Sequence, residues 1–186
     1  MKPGLHNMWP TTILIETVDV AEAVQTILAT CDLRNPPKED KNFDILRDIP
    51  GLKNFRDNVV VPTFGAYLKE VFNLDIRQMD YSLRSWLAGV SGGYMIPVHN
   101  HSGAVVSAVF YLMCDETENG GKLYLIDPRA NANRGYTDSL RKIFDPKIYT
   151  PRSGEAIVFP SFLYHHTLPF TGKLRLAMPV DLFIAE

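Results

Sequence analysis

Four of the five histidines form two close pairs, His99 and His101 in PVHNHSG and His165 and His166 in FLYHHTLPF. Neutral imidazole is a ligand for Fe, Zn, Cu and Ni. In an extended segment residues i and i+2 share a face, so His99 and His101 project together while Asn100 points away. Such a pair, joined by a third ligand from a distant strand, grips a metal from one side. The opposite side then stays open for substrate and oxygen. Non-heme iron oxygenases use this facial arrangement with two histidines and one carboxylate; here an imidazole, His101, stands where the carboxylate would be. The HxH spacing by itself is weakly specific, because surface and core histidines also fall at this interval.

The last apolar run adds a cation. In KLRLAMPVDLF, Leu174, Leu176, Met178, Val180 and Leu182 alternate with Arg175, Ala177, Pro179 and Asp181. The first set reads as a core face, which leaves Arg175 on the other face among small residues. A buried guanidinium without a partner is costly, and a carboxylate is its best geometric match. That carboxylate comes either from the protein, in a salt bridge, or from a ligand.

These groups need a rigid frame, and the chain supplies two textures. Residues 9–20 are β-branched and apolar and read as a strand. Residues 20–33 place Val20, Val24, Ile27 and Leu28 at helical spacing. Residues 34–44 are polar and proline-bearing, a loop, and 51–62 are ambiguous. A second helix is expected over 63–74, capped by Thr63, with Phe64, Leu68, Val71 and Phe72 on one side. After about residue 80, six short apolar runs alternate with Gly, Asn and Pro turns: SLRSWLAGV, YMIPVHNH, AVVSAVFYLM, KLYLID, EAIVFP and GKLRLAMPVDLFIA. That rhythm argues for a sandwich or barrel. A helical turn is expected within 137–144. The expected fold is α+β, a double-sheet β core over 81–186 backed by N-terminal support over 1–80, all in one domain.

Composition narrows the function. With 19 basic and 21 acidic residues the formal charge is −2, and no basic run suits nucleic acid. No apolar segment approaches the roughly 20 residues of a membrane helix, and the first residues lack the apolar stretch of a signal peptide. Cys31 and Cys114 form no CxxC pair, so the chain reads as cytoplasmic, with both thiols free.

The linked order VHNH, SAVFYL, GGKLYLIDPR, SGEAIVFPSFLYHHTLP and LRLAMPVDL resembles the 2-oxoglutarate- and Fe(II)-dependent oxygenases. Within them it is most similar to the prolyl-hydroxylase-like branch and its short bacterial and phage members. The resemblance spans roughly residues 84–183. It implies a double-stranded β-helix, or jelly roll, with Fe(II) at one open end. It also implies that His99, His101 and His165 are the metal ligands and the catalytic centre, with His166 only a neighbour. By the same resemblance Arg175 and Tyr111 hold the distal carboxylate of the cosubstrate 2-oxoglutarate. The implied reaction is oxidative decarboxylation of 2-oxoglutarate by O2, coupled to hydroxylation of a small-molecule or peptidyl substrate.

Two departures stand out. His101 replaces the family's carboxylate ligand, which leaves the ligand set one positive charge higher. Ala177 stands where many relatives carry a hydroxyl that helps hold the cosubstrate. Asp127 and Arg129 match a DPR stretch of the short members and read either as a turn-anchoring ion pair or as a substrate contact. Trp86 and Tyr94 read either as core aromatics or as pocket wall. Residues 34–44 and 130–136 are candidate lids. Three other readings remain open. A cupin-type three-histidine dioxygenase would have no need of Arg175. A non-catalytic jelly-roll binding module would form no succinate. A zinc hydrolase lacks an obvious general base. The substrate, the physiological metal and a homodimer are left undecided by the sequence.

Overall fold

Strand β8 (Arg175–Ile184) organises the molecule because both of its faces are buried. Leu176, Met178, Val180 and Leu182 point into one apolar cluster, and Ala177 belongs to a second. The strict period of two therefore does what the sequence suggested: one side anchors the core, and the other, with Arg175, Pro179 and Asp181, lines a cavity. This computed structural model describes residues 3, 10–33, 43–88, 93–115, 121–129, 131, 134–172 and 174–185.

Two antiparallel sheets form. The larger runs β1-β6-β3-β8-β2, and the smaller runs β5-β4-β7. In chain order the strands are β1 (Leu14–Thr17), β2 (Tyr81–Ser85), β3 (Val106–Cys114), β4 (Leu123–Leu125), β5 (Lys147–Tyr149), β6 (Glu155–Pro160), β7 (His165–Thr167) and β8. One apolar cluster, including Val109, Leu123, Leu125, Ile157 and Phe159, fills the space between the sheets. The helices α1 (Ala21–Thr30), α2 (Ile45–Asp48), α3 (Lys53–Phe55) and α4 (Val61–Phe72) cover the outer face of the larger sheet. There Phe55, Phe64, Leu68, Phe110, Met178 and Val180 are joined in one core, and Phe55 meets Phe110 edge-on at 5.7 Å. The α+β jelly-roll expectation holds.

Several local expectations change. The first strand covers only 14–17, but it joins the larger sheet beside β6. Leu28 and Phe72 are half exposed, so the buried stripes are narrower than drawn: Ala23 and Ile27 on α1, and Thr63, Phe64, Tyr67 and Leu68 on α4. Thr63 caps nothing. It lies inside the helix and donates its hydroxyl to Glu16. The ambiguous 51–62 segment is helical, with a π-helical turn over Arg56–Val60 linking α3 to α4. Residues 94–101 form no ladder strand. Pro97 has no N–H to donate, and pairing is reduced to a bridge between His99 and His165. Strands β5 and β7 are three residues each, too short to carry a periodic signal. The expected turn of helix appears as α5 (Asp138–Arg141). Residues 34–42 and positions 130, 132 and 133 of the candidate lids lie outside the described residues, as does His6. Asp44, the last residue of the first lid segment, is a buried cap of α2 whose carboxylate accepts from Arg47 and Ser85.

Candidate active site

Backbone pairing brings the two histidine segments together. His99 N–H donates to the His165 carbonyl at 3.0 Å, and His165 N–H returns the bond at 2.9 Å. His101 N–H donates to the Ser161 carbonyl, just past the end of β6. The imidazoles of His99, His101 and His165 consequently converge, each offering a ring nitrogen within 4.8 Å of the others. His166 points the other way and stacks on Tyr124 at 4.9 Å.

The tautomers follow from the acceptors. His99 Nδ1 lies 2.8 Å from the Pro97 carbonyl and His165 Nδ1 lies 2.9 Å from the Leu163 carbonyl. His101 Nδ1 lies 2.7 Å from the Asp181 carboxylate. Carbonyl and carboxylate oxygens only accept, so every Nδ1 carries a proton, which leaves each Nε2 as the nitrogen turned toward the other rings. His101 Nε2 and His165 Nε2 face one another at 3.3 Å, and with both rings neutral this approach places two lone pairs where a cation could share them. Imidazole nitrogens bind such ions at about 2.0–2.1 Å, so two ligands of one ion are at most about 4.2 Å apart. The 3.3 Å pair is already within this limit, and the three ring nitrogens lie close enough for one ion to draw them together. Burial, reinforced by the neighbouring imidazoles, holds the His165 ring down at about 4, and burial also lowers His99. Both rings stay neutral, the ligand form.

The same cavity, about 310 Å³, extends from the histidines to Arg175 and Tyr111. Arg175 is only 2% exposed. Its Nη1 donates to the Gly121 carbonyl at 2.9 Å, its guanidinium carbon lies 5.7 Å from the Tyr111 ring centroid, and its Nε has no partner. Among the described residues no carboxylate pairs with it. Burial pushes the nearby Cys114 thiol up to about 11, so it supplies no counter-charge, and the neighbouring Glu155 accepts from Tyr149 at 2.6 Å. Burial drives the Tyr111 phenol far above its ordinary range, which keeps it a donor, and its hydroxyl has no partner among the described residues. A buried cation, an orphaned N–H and an unpaired phenol at one end of a cavity suit an anionic oxygen ligand. Gly121, at φ +65°, makes this possible, since a Cβ there would lie 2.1 Å from Arg175 Nη1.

The lining between these ends is mixed. Trp86 stacks on His101 at 5.7 Å with an interplanar angle of 25°, and Tyr94, partly exposed, borders the cavity beside Ile96. Both aromatics are thus pocket wall. Ala177 also lines the cavity and offers no hydroxyl. Arg129 does not reach it. Its guanidinium closes on Asp127 at 2.9 Å and lies over Phe144, the turn-anchoring alternative. Sequence reasoning missed the groups behind the triad. Asp181 was placed on the Arg175 face but not linked to His101, and nothing local marks Ser107, Ser161 or Gly121 as supports.

A family model described as "Putative 2OG-Fe(II) oxygenase" matches residues 84–181. The chain belongs to this family. The family's cofactors are Fe(II) and 2-oxoglutarate, and the oxygenase's residues at the two ends of the cavity are chemically suited to them. No curated protein matches the chain in sequence. Solved structures share the fold at low identity. A prolyl-4-hydroxylase of Pseudomonas putida is 15% identical with a TM-score of 0.63, over 95% of this chain and 94% of that one. HygX of Streptomyces hygroscopicus, solved with nickel and 2-oxoglutarate, is 15% identical with a TM-score of 0.64, over 93% and 82%. The α-ketoglutarate-dependent epimerase SnoN of nogalamycin biosynthesis is 11% identical with a TM-score of 0.61, over 93% and 78%. Among the described residues no helix is long and apolar enough to cross a membrane.

Proposed function

We propose that this oxygenase is a 2-oxoglutarate-dependent hydroxylase in which His99, His101 and His165 hold Fe(II), and Arg175 and Tyr111 hold the distal carboxylate of 2-oxoglutarate. The observation that carries the reading is the buried Arg175 with an orphaned Nε in the cavity that the three histidines also line. Bound together, Fe(II) and 2-oxoglutarate would supply the oxidising power: O2 is reduced as 2-oxoglutarate is oxidatively decarboxylated to succinate and carbon dioxide. The protein's share is placement. The Nδ1–H bonds to Pro97, Asp181 and Leu163 keep each ring from turning. Arg175 neutralises the cosubstrate's far end, and the phenol of Tyr111 takes the place of the hydroxyl that Ala177 lacks. The apolar wall of Trp86 and Ile96 excludes water beside the reacting carbon. A substrate C–H would enter past Tyr94, at the open rim.

The clamp also separates this reading from a cosubstrate-free three-histidine dioxygenase, which has no use for a buried cation in the same cavity; a binding module is told apart by forming no succinate. The apolar core that joins helices and sheet supports one domain over 1–186. The free thiols of Cys31 and Cys114 support a cytoplasmic setting. The test is anaerobic titration of the Fe(II)-loaded protein with 2-oxoglutarate, read from the visible charge-transfer band. A band in the wild type that is strongly weakened in Arg175→Ala supports the clamp. An iron-loaded wild type that gives no band would sink it.

A further inference from the structure

We propose that Asp181 makes His101 a substitute for the carboxylate ligand of a two-histidine, one-carboxylate centre: it fixes the ring with Nε2 toward the metal and sets a negative charge behind it. The proposal rests on the reading of His99, His101 and His165 as ligands. Three neutral imidazoles leave an Fe(II) site one charge more positive than the usual ligand set. Asp181 supplies that missing charge one ring removed.

The geometry is specific to one of the three rings. His99 and His165 donate their Nδ1–H to neutral backbone carbonyls, whereas His101 donates to a carboxylate at 2.7 Å. The same Asp181 oxygen accepts the Ser107 hydroxyl at 2.7 Å, and Ser107 lies 2.8 Å from the Ser161 hydroxyl. Because Ser107 spends its proton on Asp181, Ser161 is the donor to Ser107. The relay runs in one direction, Ser161 to Ser107 to Asp181, and every member is 5% exposed or less. The chain also closes on itself, since the Ser161 carbonyl holds the His101 backbone N–H. Among the described residues no lysine or arginine pairs with Asp181. A buried carboxylate is costly without a compensating positive charge, and an ion across the His101 ring would supply one. Carboxylate–histidine–metal relays elsewhere orient the ring and raise its basicity.

The test uses the full chain, with Asp181→Asn, Asp181→Ala and Ser107→Ala beside the wild type. Fe(II) affinity is measured anaerobically by competition with a chromophoric chelator. The Nδ1–H resonances of the metal-free protein are read in imidazole-labelled NMR spectra. Asp181→Ala should weaken Fe(II) binding by about 10- to 100-fold. Asp181→Asn keeps an acceptor but removes the charge and should fall between. Ser107→Ala should lose least. The low-field His101 resonance should move in both Asp181 variants while those of His99 and His165 stay. Should Asp181→Asn and Ser107→Ala fold normally and bind Fe(II) within twofold of the wild type, the proposal is overturned, even if Asp181→Ala does not fold. A drop in melting temperature with unchanged affinity would likewise overturn it, assigning Asp181 to folding alone. None of these readouts involves 2-oxoglutarate, so failure of the Arg175 clamp leaves the result standing. A wild type that binds no Fe(II) would overturn the ligand assignment and this proposal together.

Discussion

Replacing Gly121 by alanine tests the cosubstrate end of the cavity without touching any group that would contact cosubstrate or metal. The added Cβ would lie 2.1 Å from Arg175 Nη1, against ordinary contacts of 3.4–4 Å. The guanidinium must therefore retreat by more than about 1 Å, or the Gly121 carbonyl that holds it must turn away. Hydrogen bonds to charged groups are worth about 1.5–3 kcal/mol, and 1.4 kcal/mol is a factor of about ten. A displaced clamp should weaken 2-oxoglutarate binding by roughly 10- to 100-fold. The backbone adds its own cost, because a side chain at φ +65° is disfavoured by about 1–2 kcal/mol. For a chain of this length the melting temperature should fall by about 2–8 °C. The assay is the anaerobic charge-transfer titration, run beside a chelator competition for Fe(II). Iron affinity should be unchanged, since the histidines are anchored elsewhere. A Gly121→Ala protein that is folded, iron-replete and within threefold of wild-type 2-oxoglutarate affinity would refute the argument that Gly121 positions Arg175 for the cosubstrate.

Other outcomes follow from the same geometry. His165→Ala should abolish tight Fe(II) binding while His166→Ala leaves it within twofold; equal losses in a chelator competition would contradict the placement of the two rings. The His165 imidazole titrates at about 4 in the fold against an ordinary 6.5, so below pH 6.5 the unfolded chain takes up a proton that the native state refuses. Stability of the metal-free protein, fully present above pH 6.5, should fall by about 3 kcal/mol from this group as pH drops toward 4. Urea unfolding at pH 7, 6 and 5 checks this, and an unchanged pH slope in His165→Gln would rule it out. Phe64→Ala removes a fully buried ring from the helix–sheet interface and should cost about 3–5 kcal/mol, read as a shift in the urea midpoint; a loss under 1 kcal/mol would mean that the helices are not part of the core.

What the sequence revealed depended on how local each signal was. Strand β8 was legible because alternation over ten residues shows two faces at once, and Arg175 stood out as a charge on a face of small residues. His99, His101 and His165 were legible as a set only through the linked order of five segments, since each histidine alone is commonplace. Asp181 lay on the correct face, but its bond to His101 spans 80 residues, and no local pattern encodes such a pairing. The helix stripes were drawn too wide at Leu28 and Phe72 because periodicity finds the apolar side of a helix but not how far the sheet reaches around it. Residues 94–101 looked like a strand by composition, yet a proline at 97 and a single bridge left them only half tied to their neighbour.

The two-sided burial of β8 also limits how this oxygenase can diversify. A single residue inserted or deleted at its start would swap the two faces, sending Arg175 and Asp181 into the helix-packed core and leaving Leu176 and Met178 to fill the cavity. Foldability and chemistry would be lost in one step, so selection has almost no neutral path through this strand. The wall formed by Trp86, Tyr94 and Ile96 bears no such double duty. New substrate preferences can accumulate there by ordinary substitution while the strand that holds the chemistry stays fixed.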